Sequence, residues 1–321
     1  MVKFKLIYKN KILTLDDYNK LRNAYIFLRN LENRVQITFG LQTCLLPDNE
    51  IDLAVLARKM RIQGSSQKTL ADNLMKEYEN QTNGYFNPAI GKLVSLWGFH
   101  SEVPRKVMPD ARSISKLVEA KPSMGNIKII NNILSSTNKF VKVDMGGYAK
   151  GYALDQAKNI LEQYSIKNAL INIGGNILAL GMQGNKEWVV GIQDPRNPNL
   201  MASLPLKPGW SIGTSGDYQK YFTVNKKRYS HIINPHSGYP VSNTMSVTVL
   251  IPPGDNSGEK SDVYSNPIFI EEVSKKIDIA NELGVSHYLI VLENNEILIS
   301  EDLNKIIVWK DKIDEKKITI Y

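Results

Sequence analysis

Asp262, Ser265 and Asn266 carry hard oxygen atoms at i, i+3 and i+4. On a helix these three share one face, which suits Mg²⁺, an ion that prefers oxygen ligands and keeps waters and phosphate in its shell. The spacing also fits a plain helix start, with Asp262 as the N-cap. Upstream, Gly146-Gly147-Tyr148-Ala149-Lys150-Gly151 lies between a strand and a helix. Backbone N–H groups at such a helix start can hold phosphate, and Lys150 adds charge. A tight structural turn fits the segment equally well. It is not a Walker A loop, because it has no Gly-Lys pair followed by Ser or Thr: Lys150 follows Ala149, and Gly151 and Tyr152 come after it. Ile173-Gly174-Gly175-Asn176 and Thr214-Ser215-Gly216-Asp217 are two further small-residue turns that let a backbone approach a ligand closely. His231 precedes the turn Asn234-Pro235-His236-Ser237-Gly238. Taken alone it reads as a hydrogen-bonded structural histidine. His100 and His287 have no polar cluster around them and read as structural or surface residues. No zinc spacing is present.

These residues must be positioned by elements that the periodicity foretells. Residues 1–15 read as a hairpin, followed by helices through Tyr18–Leu31, Leu53–Met60 and from about Gln67 until Gly84 stops the last one. A helix and a polar hairpin fill 110–142, and Lys142-Val143-Asp144 ends a strand. Gly146-Gly147 then opens a helix with Ala149, Tyr152, Ala153 and Ala157 on one stripe. Strands follow over Ala169–Ile173, up to Ile192, and on both sides of Asn225-Lys226-Lys227, with another over Met245–Ile251. After a loop at Asp255–Lys260 a helix is expected from about 262 to 283 with Gly284 as its cap, then a hairpin turning at Asn294-Asn295 and two short strands. Short turns join most strands, which argues an α+β fold with mainly antiparallel sheets.

Composition excludes several classes. The 321 residues carry 40 Lys+Arg against 32 Asp+Glu, a net charge of +8 without a basic stripe long enough for nucleic acid. The one cysteine, Cys44, rules out an internal disulfide framework. The first residues interrupt each apolar pair with Lys, the stretch before Cys44 is no lipobox, and no segment reaches the roughly 18 apolar residues of a membrane span. A cytoplasmic protein is therefore expected.

Taken together, the blocks point further. Val143-Asp144-Met145-Gly146-Gly147-Tyr148-Ala149-Lys150-Gly151-Tyr152-Ala153-Leu154-Asp155 resembles the D-L-G-G-[IY]-A-K-G-Y-A-x-D signature of the ApbE family, the FAD:protein FMN transferases. Asn83-Gly84-Tyr85-Phe86-Asn87-Pro88 and Leu96-Trp97-Gly98-Phe99 precede it in family order. Ile171–Asn176, Thr214–Tyr218 and Tyr229–Pro240 follow it. The resemblance covers about residues 65–300.

It implies an ApbE-like (T-fold-like) domain over 65–321 and a divergent segment 1–64, a hairpin plus helices, packed on it. It also implies an Mg²⁺-dependent flavin transferase that moves FMN from FAD, its substrate, onto a Thr or Ser of a partner flavoprotein, releasing AMP. Carried over by position, Gly84, Tyr85, Phe86, Asp144, Lys150 and Ile233 bind the flavin nucleotide. Gly147, Asp262, Ser265 and Asn266 hold the metal. His231 takes the acceptor's proton, so a rate rising through its ordinary pKa of about 6.5 is expected. The chain departs from the pattern at Asn266, where the family has Thr, at Asn234 in place of Asp, at Leu45 in place of an aromatic, and in lacking an N-terminal M-G-T block. Alternative readings are an FAD pyrophosphatase and a non-catalytic FAD-binding protein.

Overall fold

The computed structural model describes residues 75–100, 108–130, 133–310 and 317–321. The segment expected over 1–64, Leu45 and Cys44 lie outside them. Helices α1 (Met75–Gln81), α2 (Gly91–Leu96) and α3 (Ala111–Glu119) lead into the hairpin β1 (Ile127–Ile130) and β2 (Ile133–Ser136). After helix α4 (Ala149–Gln163) come β3 (Ala169–Ile173), β4 (Asn176–Leu180), β5 (Trp188–Gln193), β6 (Leu200–Leu206) and β7 (Ser211–Gly216). The hairpin β8 (Tyr221–Val224) and β9 (Lys227–Ser230) precedes β10 (Thr244–Ile251), α5 (Ser257–Ile270) and α6 (Lys276–Glu282). The chain ends with β11 (His287–Leu292), β12 (Ile297–Ile299), α7 (Glu301–Asn304), β13 (Val308–Trp309) and β14 (Ile318–Ile320).

Among the described residues the main sheet runs β14-β12-β11-β10-β7-β4-β3, and every neighbouring pair in it is antiparallel except β12 with β14. The α+β expectation holds. Strand β10 is buried along its whole length. Its Val247, Val249 and Ile251 join Val263, Ile268 and Phe269 of α5 in one core, while Leu250 faces a second core with Leu204, Leu206 and Ile299. Burying each such side chain contributes about 1.5–3 kcal/mol.

How α5 sits on this sheet decides where the site lies. On β7, Ser211, Gly213 and Ser215 alternate onto one face, and on α5, Ser257, Ser261 and Ser265 recur every four residues. The Ser211 hydroxyl donates to the Ser257 carbonyl, Gly213 lies against the Ser261 carbonyl, and the Ser215 and Ser265 hydroxyls are 2.7 Å apart. Two strand residues rise about 6.6 Å and four helical ones about 6.0 Å, so small residues stay in step over three contacts. A Cβ at Gly213 would run into the Ser261 carbonyl. Gly213→Ala is therefore expected to cost about 1–3 kcal/mol by overpacking, read as a lower urea midpoint at unchanged slope. An unchanged midpoint would refute the close-packing account.

Several expectations need correction. Thr214-Ser215-Gly216 is not a turn but the end of the central strand β7. Helix α5 begins at Ser257, inside the expected Asp255–Lys260 loop, because the carboxylate of Asp155 on α4 accepts from the Gly258 and Glu259 N–H groups at 2.9 Å each. That cap comes from another helix, so Asp262 is no N-cap but lies in the second turn. The single helix expected over 262–283 is broken after Ile270, one turn beyond Pro267, whose missing N–H weakens the ladder. The buried Lys276 ammonium then donates to the Ile268, Phe269 and Glu271 carbonyls at 2.7–2.8 Å, satisfying the orphaned helix end. Among the described residues Lys142 makes an isolated parallel bridge to Ile90 rather than ending a strand. Strand β6, absent from the elements expected above, pairs among the described residues with β13 at Ala202 and Ser203, while Pro205 lies beyond that ladder and opposite Val189 of β5.

Candidate functional site

The segment after α1, the start of α4, the end of β7, the segment after β9 and the middle of α5 surround one cleft of about 390 Å³. Its first wall is the segment after α1. Asn83 and Gly84 turn with positive φ, and the Thr82 hydroxyl accepts from the Phe86 N–H at 3.1 Å, which turns Tyr85 and Phe86 into the cleft. Gly84 itself is not in the lining; it lies against His236, 3.5 Å from where a Cβ would stand. The Asp144 N–H donates to the Pro88 carbonyl at 2.7 Å and the Gly91 N–H to the Lys142 carbonyl at 2.7 Å, fastening this wall to the residues before α4.

Asp144 accepts from the Gly146 N–H at 2.8 Å. Burial pushes its carboxyl pKa up, opposed by that bond and by Lys220, Lys142 and Lys150. Gly147 and Lys150 also line the cleft, as do Asp262 and Asn266 from α5. The Asp262 carboxylate accepts from Lys150 Nζ at 2.8 Å on Oδ1 and from the Gly151 N–H at 3.1 Å on Oδ2. Asn266 Nδ2 donates to the Asp262 carbonyl at 3.0 Å, which turns the amide oxygen towards Ser215, 3.4 Å away. A Cβ at Gly147 would stand 2.8 Å from Asn266 Nδ2, so only glycine admits this approach. Ser265 lies below the cleft floor: its hydroxyl donates to the Asp262 carbonyl at 2.9 Å and meets Ser215, which does reach the lining.

His231 follows β9 directly and lines the opposite wall with Ile232 and Ile233. Its Nδ1 lies 3.1 Å from the Lys220 carbonyl. A carbonyl only accepts, so Nδ1 carries the proton and Nε2 keeps a lone pair. Burial lowers the His231 pKa to about 4; the Lys220 carbonyl opposes this, while the Lys150 and Lys220 charges add to it. The expected titration near 6.5 is thus displaced downward by desolvation.

The cleft brings together Tyr85, Phe86, Asp144, Gly147, Lys150, His231, Ile233, Asp262 and Asn266, leaving Gly84 and Ser265 just behind its surface. Sequence reasoning named the Thr214–Asp217 segment only for its backbone, not the Ser215 side chain, and missed Gln219, Lys220 and His100, which also line the cleft. His100 is thereby corrected from a residue without polar surroundings. Gly98, two residues before it, was the available signal for a turn there, and it does take positive φ.

The sequence model of the ApbE family matches residues 59–289. A second, described as GlnD PII-uridylyltransferase, matches residues 1–84, most of which lie outside the described residues. An FAD:protein FMN transferase of Rhodobacter capsulatus is 32% identical over 70% of this chain and 42% of its own length. One of Klebsiella pneumoniae is 33% identical over 67% of this chain and 66% of its own. The chain thus spans less than two thirds of either relative. The crystal structure of the ApbE protein of Thermotoga maritima superposes with a TM-score of 0.67 at 29% identity, covering 78% of this chain and 79% of that one. The flavin transferase ApbE from Vibrio cholerae gives 0.68 at 21% identity over 89% and 90%, a likeness of fold.

Proposed function

The chain belongs to the ApbE family, and from that membership and the geometry of its cleft we propose that it is an Mg²⁺-dependent flavin transferase. The substrate is FAD, and the acceptor is a Thr or Ser hydroxyl of a partner flavoprotein. One observation carries the reading: Asp144, Lys150, His231 and Asp262, from segments far apart in the chain, line a single cleft with Tyr85 and Phe86.

The donors fit the ion. Asp262, the Asn266 amide oxygen and the Gly147 carbonyl are hard oxygens, supported from below by Ser265. Among the described residues no group of three His, Cys, Asp or Glu could form a closed metal cage. A set with a single carboxylate suits Mg²⁺, which fills its remaining positions with water and phosphate. When bound, the ion neutralises pyrophosphate charge and stabilises the charge that develops during in-line displacement. Phe86 and Tyr85 offer apolar surface to the flavin nucleotide, with Ile233 on the facing wall, and Lys150 adds positive charge for phosphate. His231 Nε2 takes the proton of the acceptor hydroxyl as that oxygen bonds to the FMN phosphorus. The bond from phosphorus to the bridging oxygen breaks, and AMP leaves with that oxygen.

The direct test is incubation with FAD, Mg²⁺ and candidate acceptor proteins, following AMP, free FMN and protein-bound flavin separately. Flavin bound to the acceptor with equimolar AMP is the expected result. Free FMN with AMP would identify a pyrophosphatase, and neither product, with FAD bound, a non-catalytic protein. A second expectation concerns Asn266. Thr at this position is shorter and presents a hydroxyl oxygen, the ligand type the resemblance implies, so Asn266→Thr should lower the half-saturating Mg²⁺ concentration several-fold. An unchanged Mg²⁺ dependence would remove Asn266 from the metal set.

A further inference from the structure

Before any ion arrives, the carboxylate of Asp262 already has a cation against it. Lys150 Nζ stands 2.8 Å from Oδ1 and 3.1 Å from the Gly146 carbonyl, while Oδ2 is taken by the Gly151 N–H. The carboxylate side chain is only 6% exposed, whereas that of Lys150 is 28% exposed and borders the cleft. An ammonium and a divalent ion cannot both sit at contact distance from one oxygen without strong mutual repulsion. The lysine stem is built to move. It is a flexible four-carbon chain, and it runs over Gly174 of the Gly174-Gly175 turn, where a Cβ would stand 3.1 Å from Lys150 Cδ. Gly174 (φ +58°) thus leaves room for the stem of Lys150, a use for this turn that the metal and nucleotide contacts do not supply.

Resting on the flavin-transferase reading of the cleft, we propose that Lys150 is an internal surrogate cation. It keeps Asp262 closed to divalent ions until a nucleotide pyrophosphate draws the ammonium away, so that nucleotide and metal bind with positive coupling. Lys150 is then a positioning residue for the metal as well as a phosphate contact.

The test measures binding rather than turnover. Mn²⁺ serves as the divalent probe, read by the EPR signal of the free ion and corrected by protein-free titrations for the Mn²⁺ that ADP chelates in solution, and ADP serves as the pyrophosphate-bearing nucleotide. All binding is measured at pH 8. Wild-type protein should bind Mn²⁺ weakly alone and about 5–150-fold more tightly with saturating ADP, the usual range of site-to-site coupling. Lys150→Met should bind Mn²⁺ at least about tenfold more tightly than wild type without nucleotide, and its enhancement by ADP should fall below about twofold. Lys150→Gln gives a second, polar variant should the methionine protein not fold. Lys220→Met, which removes another ammonium of the same cleft, should change Mn²⁺ affinity less than about threefold if occupancy rather than general charge is responsible.

Nucleotide-free Mn²⁺ affinity unchanged in both Lys150 variants would overturn the proposal, as would an equal rise in Lys220→Met. ADP that binds wild type without strengthening Mn²⁺ would overturn this inference alone. ADP that does not bind at all would overturn the nucleotide reading of the cleft as well.

Discussion

Replacing Asp262 with alanine is expected to abolish Mg²⁺-dependent AMP release while FAD still binds. In the proposed ligand set Asp262 is the only carboxylate, the other oxygens being neutral. A metal ion in such a role stabilises the transition state by several kcal/mol, and each 1.36 kcal/mol is tenfold in rate. The loss should therefore reach about 10³-fold or more. The substitution also strands Lys150 and the Gly151 N–H, its two partners in the cleft wall. Breaking a buried ion pair costs up to about 3–5 kcal/mol, but the partly exposed lysine can turn to water and reduce this. Asp262→Asn keeps the shape and one oxygen, so it separates chemistry from folding. Far-UV circular dichroism and FAD fluorescence quenching on both variants check that the cleft persists. A folded, FAD-binding Asp262→Ala protein with wild-type turnover would sink the metal assignment, and with it the reason for the Asn266 and Lys150 experiments.

Much of this cleft was legible because local signals marked it. Asn225 takes positive φ in the hairpin turn between β8 and β9, and Gly284 does so after α6, as their residue types and places foretell, and Lys226 follows Asn225 into the same region. The passage into helix α4 around Gly146-Gly147 was visible because glycines stand directly before an apolar helical stripe. What stayed hidden depends on partners distant in sequence. Strand β7 looks like a turn because Ser, Gly and Thr are weak strand formers. Their value lies in admitting α5, a contact no local window contains. The start of α5 is fixed by Asp155 and its end by Lys276, so a reading based on nearby caps misplaced both boundaries. The same holds for chemistry. The types of Asp262 and Lys150 suggested a metal and a phosphate, but only the fold shows the two side chains bonded to each other. The composition likewise gave no sign that His231 is desolvated.

That desolvation sharpens the second large expectation. His231→Asn should lower flavin transfer by about 10²–10⁴-fold, the usual worth of a general base, while FAD binding is retained. Asparagine keeps an N–H donor for the Lys220 carbonyl, so the wall should hold its shape; what it lacks is a basic lone pair at the position of Nε2. The pH profile gives an independent check. With a pKa of about 4 in the free protein, His231 is already neutral throughout the range from pH 5.5 to 8. On the histidine's account kcat/KM should be flat there, falling only as pH drops through about 4 and Nε2 takes a proton from solvent. Bound pyrophosphate places negative charge in the cleft and favours the protonated ring, so the acid limb of kcat should lie at higher pH than that of kcat/KM. A purely structural histidine predicts a different pattern: lower thermal stability and weaker flavin binding, with a near-normal rate for each FAD-saturated molecule. Single-turnover AMP release and FAD affinity, measured on the same His231→Asn preparation, separate the two. If saturated turnover stays within about threefold of wild type, far below the catalytic range, the proton is taken by another group. A kcat/KM that instead climbs about fivefold between pH 5.5 and 6.5, levels off above, and vanishes with the mutation would keep His231 as the base but place its ring in water rather than in the cleft wall.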